Sequence, residues 1–196
     1  NVSSAQKSDV DNLRNLPGVE AVQARFSAEM DAPDYGEGVS LMVHAYQGEP
    51  LINVPLIRQG ETLDAADLRG CLVDESFAKA HNLQVGDSLK LTLNKTDYTF
   101  WVRGLVLCSE QVVTTKDVMP DPATYGYAVL NWRSLPGTPL NDVAVAITPG
   151  ADGAAVEQRI QALLPDALVL TQQTHASTQR TRSEVTMFRN LTLVFP

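Results

Sequence analysis

The chain has 196 residues, 44% of them hydrophobic, which is enough apolar material to fold around a core and excludes a disordered chain. Acidic residues outnumber basic ones by 23 to 15, and the resulting formal charge of −8 argues against binding to nucleic acid or to anionic lipid headgroups. No apolar run reaches the roughly eighteen residues that a membrane-spanning helix needs.

The N-terminal part of the chain predicts one helix and two strands. Residues 1–16 carry an apolar stripe in their second half and stop at Pro17-Gly18, which is typical of a helix end. Residues 19–30 alternate between apolar and polar, and residues 39–46 form a second predicted strand beyond a loop rich in Asp, Pro and Gly. We expect these two strands to pair as a hairpin.

The stretch from residue 70 to residue 110 has the clearest local pattern of the chain. Residues 71–73 predict a short strand, and residues 74–76 supply capping side chains for a helix over residues 77–83. Residues 89–102 then alternate across a polar turn, which predicts a hairpin with one apolar face.

The C-terminal part of the chain predicts alternating strands and helices. The predicted elements are a strand at 125–130, a helical turn at 131–135, a strand at 142–148, a helix at 153–164, a strand at 167–171 and a last helix at 174–188. The final residues become apolar and the first residue is Asn1 rather than Met, so we expect this chain to be a piece of a longer protein.

Two proline-marked crossings suggest that the chain forms two lobes. Pro50 and Pro55 mark the first crossing, and Pro120 and Pro122 mark the second. We therefore predict an inserted β-rich lobe over residues 49–122, and an α/β sandwich lobe formed by residues 1–48 together with residues 123–196. The fold class predicted is α+β, with helices on one face of a mainly antiparallel sheet.

The two cysteines, Cys71 and Cys108, both fall on predicted strands of the inserted lobe. If those strands are neighbours, a disulfide is geometrically allowed and would stabilise the fold by about 4 kcal/mol in the chain-entropy model. The alternative, which we favour, is that both are small buried hydrophobic side chains.

The sequence contains no recognisable set of catalytic, cofactor-binding or metal-ligating residues. His44, His81 and His175 have no accompanying nucleophile or ligand motif, and such isolated histidines are usually structural. Motifs of serine hydrolases, zinc proteases, P-loop proteins and dinucleotide-binding proteins are missing, as are the Cys/His clusters of zinc sites. We expect a chain without enzymatic activity, cofactor or metal.

An apolar surface is the remaining candidate for a functional site. By strict alternation Trp101, Leu105 and Leu107 share one face of the second hairpin strand, opposite Tyr98 and its apolar neighbours. The favoured interpretation is burial between the two lobes, and the functional one is an exposed ridge for a hydrophobic cargo or a partner subunit. Gly104 predicts a bulge or a weak point in this strand.

Several short motifs carry a resemblance to a known family. They are Leu16-Pro17-Gly18-Val19, the runs LVDESFA at 72–78 and VGDSL at 85–89, VRGLV at 102–106, YAVL at 127–130 and VAVAI at 143–147. In this order they resemble the extracytoplasmic (periplasmic-core) domain of MacB/FtsX-like ABC transporter permeases. Relatives often have a regular glycine-rich run before the first strand of the inserted lobe, of which only Gly60 and Gly70 remain here, so the subfamily stays open.

The resemblance implies a two-lobed domain on the extracytoplasmic side of the membrane, with a "porter" lobe continuous with two transmembrane helices and an inserted "sabre" lobe. A separate cytoplasmic subunit or domain would hydrolyse ATP, and a second permease copy would be a partner. The substrate would be a peptide, lipoprotein or drug, or the domain would act on an envelope partner protein. The mechanism implied is a lever, in which residues 1–16 and 174–188 carry force between membrane and lobes.

A second family resemblance points to another class of function. The run LQVGDSL at residues 83–89 looks like the turn of small double-psi-type β-barrels. A soluble domain that binds a small molecule or hydrolyses a substrate would then be expected, and it would contain a defined ligand pocket.

Overall fold

The computed structural model describes residues 7–108 and 121–169. Within these residues the helices are α1 (Lys7–Arg14), α2 (Glu75–His81) and α3 (Gly153–Leu163), and short 3-10 turns lie at Pro33–Tyr35 and Trp132–Ser134. The strands are β1 (Val19–Asp31), β2 (Ser40–Tyr46), β3 (Leu56–Gly60), β4 (Gly70–Asp74), β5 (Ser88–Leu93), β6 (Thr96–Leu107), β7 (Tyr125–Asn131) and β8 (Asp142–Ile147).

Local sequence patterns account for most of these elements. Asp74 caps α2 by accepting a hydrogen bond from the Phe77 backbone N–H at 2.9 Å, as the capping pattern predicts. Asp152 caps α3 in the same way. The helix α2 ends at His81, two residues before the predicted end at residue 83, because Asn82 adopts the left-handed conformation that terminates helices.

Two segments differ from the sequence prediction. Residues 56–60 form the strand β3, which no local pattern in the sequence predicted. Residues 167–169 are not in a strand, and the remainder of the strand predicted at 167–171 lies outside the described residues. The helix predicted at 174–188 also lies outside them.

Among the described residues, six strands form a closed circuit in the order β2, β7, β4, β6, β5, β1 and back to β2. The predicted hairpins β1–β2 and β5–β6 are both present and antiparallel. The pairs β2–β7 and β4–β6 are parallel and join segments far apart in sequence. The circuit closes between β5 and β1 through the single pair Asp31–Thr92. The result is a small mixed barrel, which we call the barrel lobe.

Side chains fill the interior of the barrel lobe. Every strand of the circuit contributes buried apolar residues, and Phe77 and Ala78 of α2 join the same core. Fully buried members include Met30, Leu41, Val43, Cys71, Val73, Phe77, Leu89, Leu91 and Val102. A six-stranded barrel is too narrow to enclose a ligand once its inward positions carry such residues.

A second core lies beside the barrel, in what we call the sandwich lobe. Here α1 and α3 pack on one face of a two-stranded sheet made by the first half of β1 and by β8. The core consists of Val10 and Leu13 of α1, Val22 and Ala24 of β1, Val143 and Val145 of β8, and Ile160 and Leu163 of α3. The α+β, two-lobed fold class is thus confirmed.

The predicted lobe boundaries at residues 49–122 stay a prediction, because the sheet continues across them. The strand β4 pairs with β7, and β6 therefore reaches β2 through β4 and β7 without a break in hydrogen bonding. The strand β1 belongs to both lobes, since residues 19–25 pair with β8 and residues 25–31 pair with β2.

Candidate functional site

The long strand β1 carries a row of polar side chains on the face opposite the helices. Gln23, Arg25, Ser27 and Glu29 share this face because side chains alternate along a strand. The opposite face supplies Val22 and the other apolar residues of both cores. Alternation of this kind normally indicates solvent, yet Gln23 and Arg25 are buried.

Gln23 fixes the loop that follows β2. Its side-chain amide donates to the Glu49 backbone oxygen at 2.8 Å, and its carbonyl accepts from the backbone N–H groups of Leu51 and Ile52 at 2.7 and 3.1 Å. A buried amide that makes three hydrogen bonds to one loop holds that loop in a defined position. Leu51 is nevertheless 67% exposed. The loop therefore presents this leucine on a fixed support.

Arg25 lies where β1 changes partners. It is the register partner of both Tyr46 on β2 and Asp142 on β8, so the three side chains form a row across three strands. The guanidinium Nε donates to Asp142 Oδ2 at 2.6 Å, and Nη1 donates to the Tyr46 hydroxyl at 3.1 Å. The Arg25 side chain is 4% exposed and that of Asp142 is 34% exposed. This row joins the barrel lobe to the sandwich lobe.

Ser27 and His44 continue the polar row toward the barrel. The Ser27 hydroxyl lies 2.7 Å from His44 Nδ1, and the His44 ring packs edge-on against Tyr127 with centroids 5.3 Å apart. The side chain of Asn141, just before β8, accepts from the Ser27 backbone N–H at 2.7 Å and donates to the Ser27 backbone oxygen at 2.9 Å. His44 is therefore buried and held between β1 and β7.

The predicted surface of Trp101, Leu105 and Leu107 does not exist as one face, and Leu105 is the residue that requires correction. Leu105 is 4% exposed and belongs to the barrel core, whereas Trp101 is 43% exposed. Val102 pairs with Cys71 and Gly104 pairs with Leu72, which leaves Arg103 as an extra residue. This bulge shifts the alternation by one residue, so Leu105 turns inward and Leu107 shares its side of the strand.

Exposed apolar side chains occur in a different place from the one predicted. Leu107, 40% exposed, lies opposite Leu56 of β3, and Leu51 and Val54 are exposed on the loop before β3. We call these four residues the apolar ridge. The sequence contains a sign of it, since the short run LINV between Pro50 and Pro55 is mainly apolar.

The two cysteines are both free and buried, so the disulfide that the sequence allowed is absent from the structure. Cys71 pairs with Val102 on β6, and Cys108 follows six residues further along the same strand direction. At about 3.3 Å per residue the two lie about 20 Å apart, whereas a disulfide requires Cα atoms within about 7 Å. They also belong to separate cores.

Two carboxylates show how burial and hydrogen bonding affect ionisation. Burial raises the pKa of Asp74 above its ordinary 3.8, although the N–H groups of Phe77 and Ser76 act in the opposite direction. Burial would also raise the pKa of Asp67, but the hydrogen bond from Arg103 at 2.7 Å and backbone N–H groups lower it overall.

Within residues 7–108 and 121–169, no cluster of His, Cys, Asp and Glu could hold a metal ion. His81 Nε2 lies 2.9 Å from the Ala123 backbone oxygen, and its ring packs on Phe77 and Tyr35. His175 lies outside the described residues. None of the helices in the described part of the chain is long and apolar enough to cross a membrane.

Residues 83–89, which resemble the turn of a double-psi-type barrel, lie at the start of β5 in the barrel lobe. Asp87 accepts from the Gln84 N–H at 2.8 Å, and the Gly86 N–H donates to the Val102 oxygen at 2.8 Å, so this turn is tied to β6. The barrel interior is filled with apolar side chains. A shallow cleft lies outside it, between the loops at residues 48–50 and 62–65 and the end of β7.

Comparisons with known proteins agree on one family. The family model described as the MacB-like periplasmic core domain matches residues 1–163. The extracellular domain of the noncanonic ABC-type transporter YknZ from Gram-positive bacteria has a similar fold, with a TM-score of 0.57 and 16% identity over 83% of each chain. The periplasmic region of MacB from Actinobacillus actinomycetemcomitans gives a TM-score of 0.52 and 19% identity over 83% of this chain and 74% of that chain. No curated protein matches the sequence.

Proposed function

Because this chain belongs to the MacB-like periplasmic core domain family, we propose that it transmits motion driven by cytoplasmic ATP hydrolysis, and that this motion drives the export or release of a substrate outside the membrane. It is an extracytoplasmic domain, periplasmic or extracellular, of an ABC-type transporter permease. The complete transporter therefore has membrane helices and an ATPase as partners of this domain. The role proposed for the domain itself is mechanical and non-catalytic.

The observation that carries this proposal is the packing of α1 and α3 into one core. Both helices lie on the same face of the β1–β8 pair, and Arg159 of α3 donates to the Pro17 oxygen at 2.9 Å, next to the end of α1. Gly18 has a left-handed backbone conformation, and a Cβ added at this position would lie 2.8 Å from Val156 Cγ2 of α3. Glycine therefore permits this close approach of α3. We infer from this packing that α1 and α3 move together. Residues 174–188, the second helix of the expected lever, lie outside the described residues.

The strand β1 offers a route from the sandwich lobe to the barrel lobe. It has 13 residues and, at about 3.3 Å per residue, spans about 40 Å. Hydrogen bonds to β8 in its first half and to β2 in its second half restrain it along its length. A displacement of α1 and α3 would therefore reach the barrel through one continuous strand.

The proposed partners beyond the membrane helices and ATPase follow from the family resemblance and from the apolar ridge. A second permease copy, an envelope partner protein, or a peptide, lipoprotein or drug as cargo would each contact exposed apolar side chains such as Leu51 and Leu56. The inserted lobe proposed at residues 49–122 contains the whole ridge.

Hydrogen–deuterium exchange on the complete transporter tests the proposed function. The full-length permease and its ATPase are placed in lipid nanodiscs and compared with ATP, with ADP, and in a vanadate-trapped state. We expect exchange in peptides of α1, β1 and α3 to change between these nucleotide states, because force must pass through them. The isolated 196-residue chain with the same nucleotides is the control and should not respond. Identical exchange in all nucleotide states of the complete transporter would refute the lever.

A further inference from the structure

We propose that Arg25 is a positioning residue that couples the two lobes, so that the sandwich lobe and the barrel lobe keep one fixed relative orientation. This inference deepens the proposed function, and its relevance to transport rests on that function. It concerns a single row of side chains, Tyr46, Arg25 and Asp142, which crosses from β2 through β1 to β8.

The topology makes this row the place where coupling is needed. The strands β8 and β5 both lie along one edge of β1. The pairing of β1 with β8 reaches as far as Arg25 and Asp142, and β5 meets β1 at the Asp31–Thr92 pair. Along the β1 residues between those pairs, the side chain of Asn141 replaces a strand neighbour through its two hydrogen bonds to Ser27. Among the described residues, β1 is paired there only with β2, and such a two-stranded ribbon can bend or twist unless side chains tie it to β8.

Arg25 supplies such a tie on both sides of β1. Its planar guanidinium has donors pointing in different directions, which allows one side chain to hold Asp142 on β8 and the Tyr46 hydroxyl on β2 at once. The guanidinium carbon also lies 5.8 Å from the centroid of the Tyr46 ring. A lysine would present one compact charge and could not reproduce this arrangement.

Burial turns this contact into a restraint on lobe motion. The Arg25 side chain is almost fully buried, and a buried charge is tolerated only while it is paired. If the sandwich lobe moved away from the barrel, Asp142 would leave with β8, and the guanidinium would lose its carboxylate in a poorly solvated position. Separation of the lobes is therefore opposed by the loss of the Arg25–Asp142 ion pair.

The chain contains a matched ion pair that lacks these properties. Arg103 Nε donates to Asp67 Oδ2 at 2.7 Å, almost the same geometry as the Arg25–Asp142 contact. The Arg103 side chain is exposed, and both of its residues lie in the barrel lobe. Breaking this pair tests the general effect of losing an arginine ion pair, without affecting the contact between lobes.

The experiment uses the 196-residue chain with the substitutions Arg25→Met, Asp142→Ala and, as the control, Arg103→Met. Hydrogen exchange is followed by mass spectrometry, and residual dipolar couplings report whether both lobes share one alignment tensor. We expect the first two variants to accelerate exchange in β8 and α3 by about tenfold or more while β4 to β7 keep wild-type exchange. Their lobes should also need separate alignment tensors, and the control should match wild type in both measurements.

Wild-type exchange in β8 together with a single tensor in Arg25→Met would overturn the proposal, as would a uniform acceleration across both lobes. If Arg25→Met does not fold, the same criteria apply to Asp142→Ala, whose side chain is partly exposed. These measurements involve no nucleotide and no membrane. Their failure removes the coupling by Arg25 and leaves the lever itself to the nanodisc experiment.

Discussion

The contact between α2 and β7 permits a prediction of stability from geometry alone. A Cβ added at Gly126 would lie 2.6 Å from two ring atoms of Phe77 and 2.8 Å from the Phe77 Cβ, closer than real side chains approach. Phe77 is fully buried in the barrel core and cannot move aside without displacing its neighbours. Gly126→Ala should therefore destabilise the fold by overpacking, by about 1–3 kcal/mol.

A double-mutant cycle isolates this contact. Phe77→Ala removes a buried aromatic ring and should cost about 3–5 kcal/mol alone, but it also leaves room for a methyl group at position 126. In that background Gly126→Ala should cost nothing or should stabilise slightly. The coupling energy between the two positions should thus be about 1–3 kcal/mol, well outside the usual error of additivity for independent sites.

Urea unfolding followed by circular dichroism measures the four free energies of the cycle. The matched control is Gly153→Ala in the first turn of α3, where the nearest side-chain atom lies at 3.5 Å from the added Cβ, an ordinary contact. We expect that variant to be neutral or slightly stabilising, because alanine favours helix more than glycine does. An unchanged Gly126→Ala penalty in the Phe77→Ala background would refute the packing argument.

Three further predictions concern single residues. Asp74→Ala removes the helix cap and should lower the free energy of unfolding by about 1 kcal/mol, whereas Asp74→Asn keeps the cap. Because burial raises the pKa of Asp74, ionisation of this carboxyl opposes folding. In urea titrations, the wild type should therefore lose stability relative to the Asn variant as the pH rises from about 4 through that pKa. Mass spectrometry of unfolded, unreduced protein treated with an alkylating reagent should show both Cys71 and Cys108 alkylated. A bridged pair would contradict the distance between the two cysteines. Leu105→Ala should cost about 2–5 kcal/mol and Trp101→Ala less than about 1 kcal/mol in thermal unfolding, whereas equal costs would mean that the bulge does not turn Leu105 inward.

Local chemistry was sufficient to predict the elements whose stability depends on near neighbours in sequence. The capped helix α2, the capped helix α3 and the hairpins β1–β2 and β5–β6 all follow from spacing, capping side chains and turns, because their hydrogen bonds join residues close along the chain. The family resemblance drew on the same local motifs, and the match over residues 1–163 confirms it. The absence of a catalytic motif could likewise be read directly from the sequence.

The candidate site required the tertiary structure, because alternation along a strand shows that its two faces differ without showing what covers them. The polar face of β1 has the pattern of a solvated face, yet the loop after β2 and the strand β8 cover Gln23 and Arg25. Likewise, Gly104 predicted a bulge, but only the pairing with β4 shows that Arg103 is the extra residue and that Leu105 turns inward.

The sequence by itself determined the helices α1, α2 and α3, the hairpins and the family of this protein, since each depends on short-range patterns. Only the tertiary structure decided that six strands close into a filled barrel, because its parallel pairs β2–β7 and β4–β6 join distant segments. Such pairings depend on which surfaces bury one another best, and no local pattern encodes that choice. For the same reason, only the folded chain shows that Arg25 lies at the junction of its two lobes.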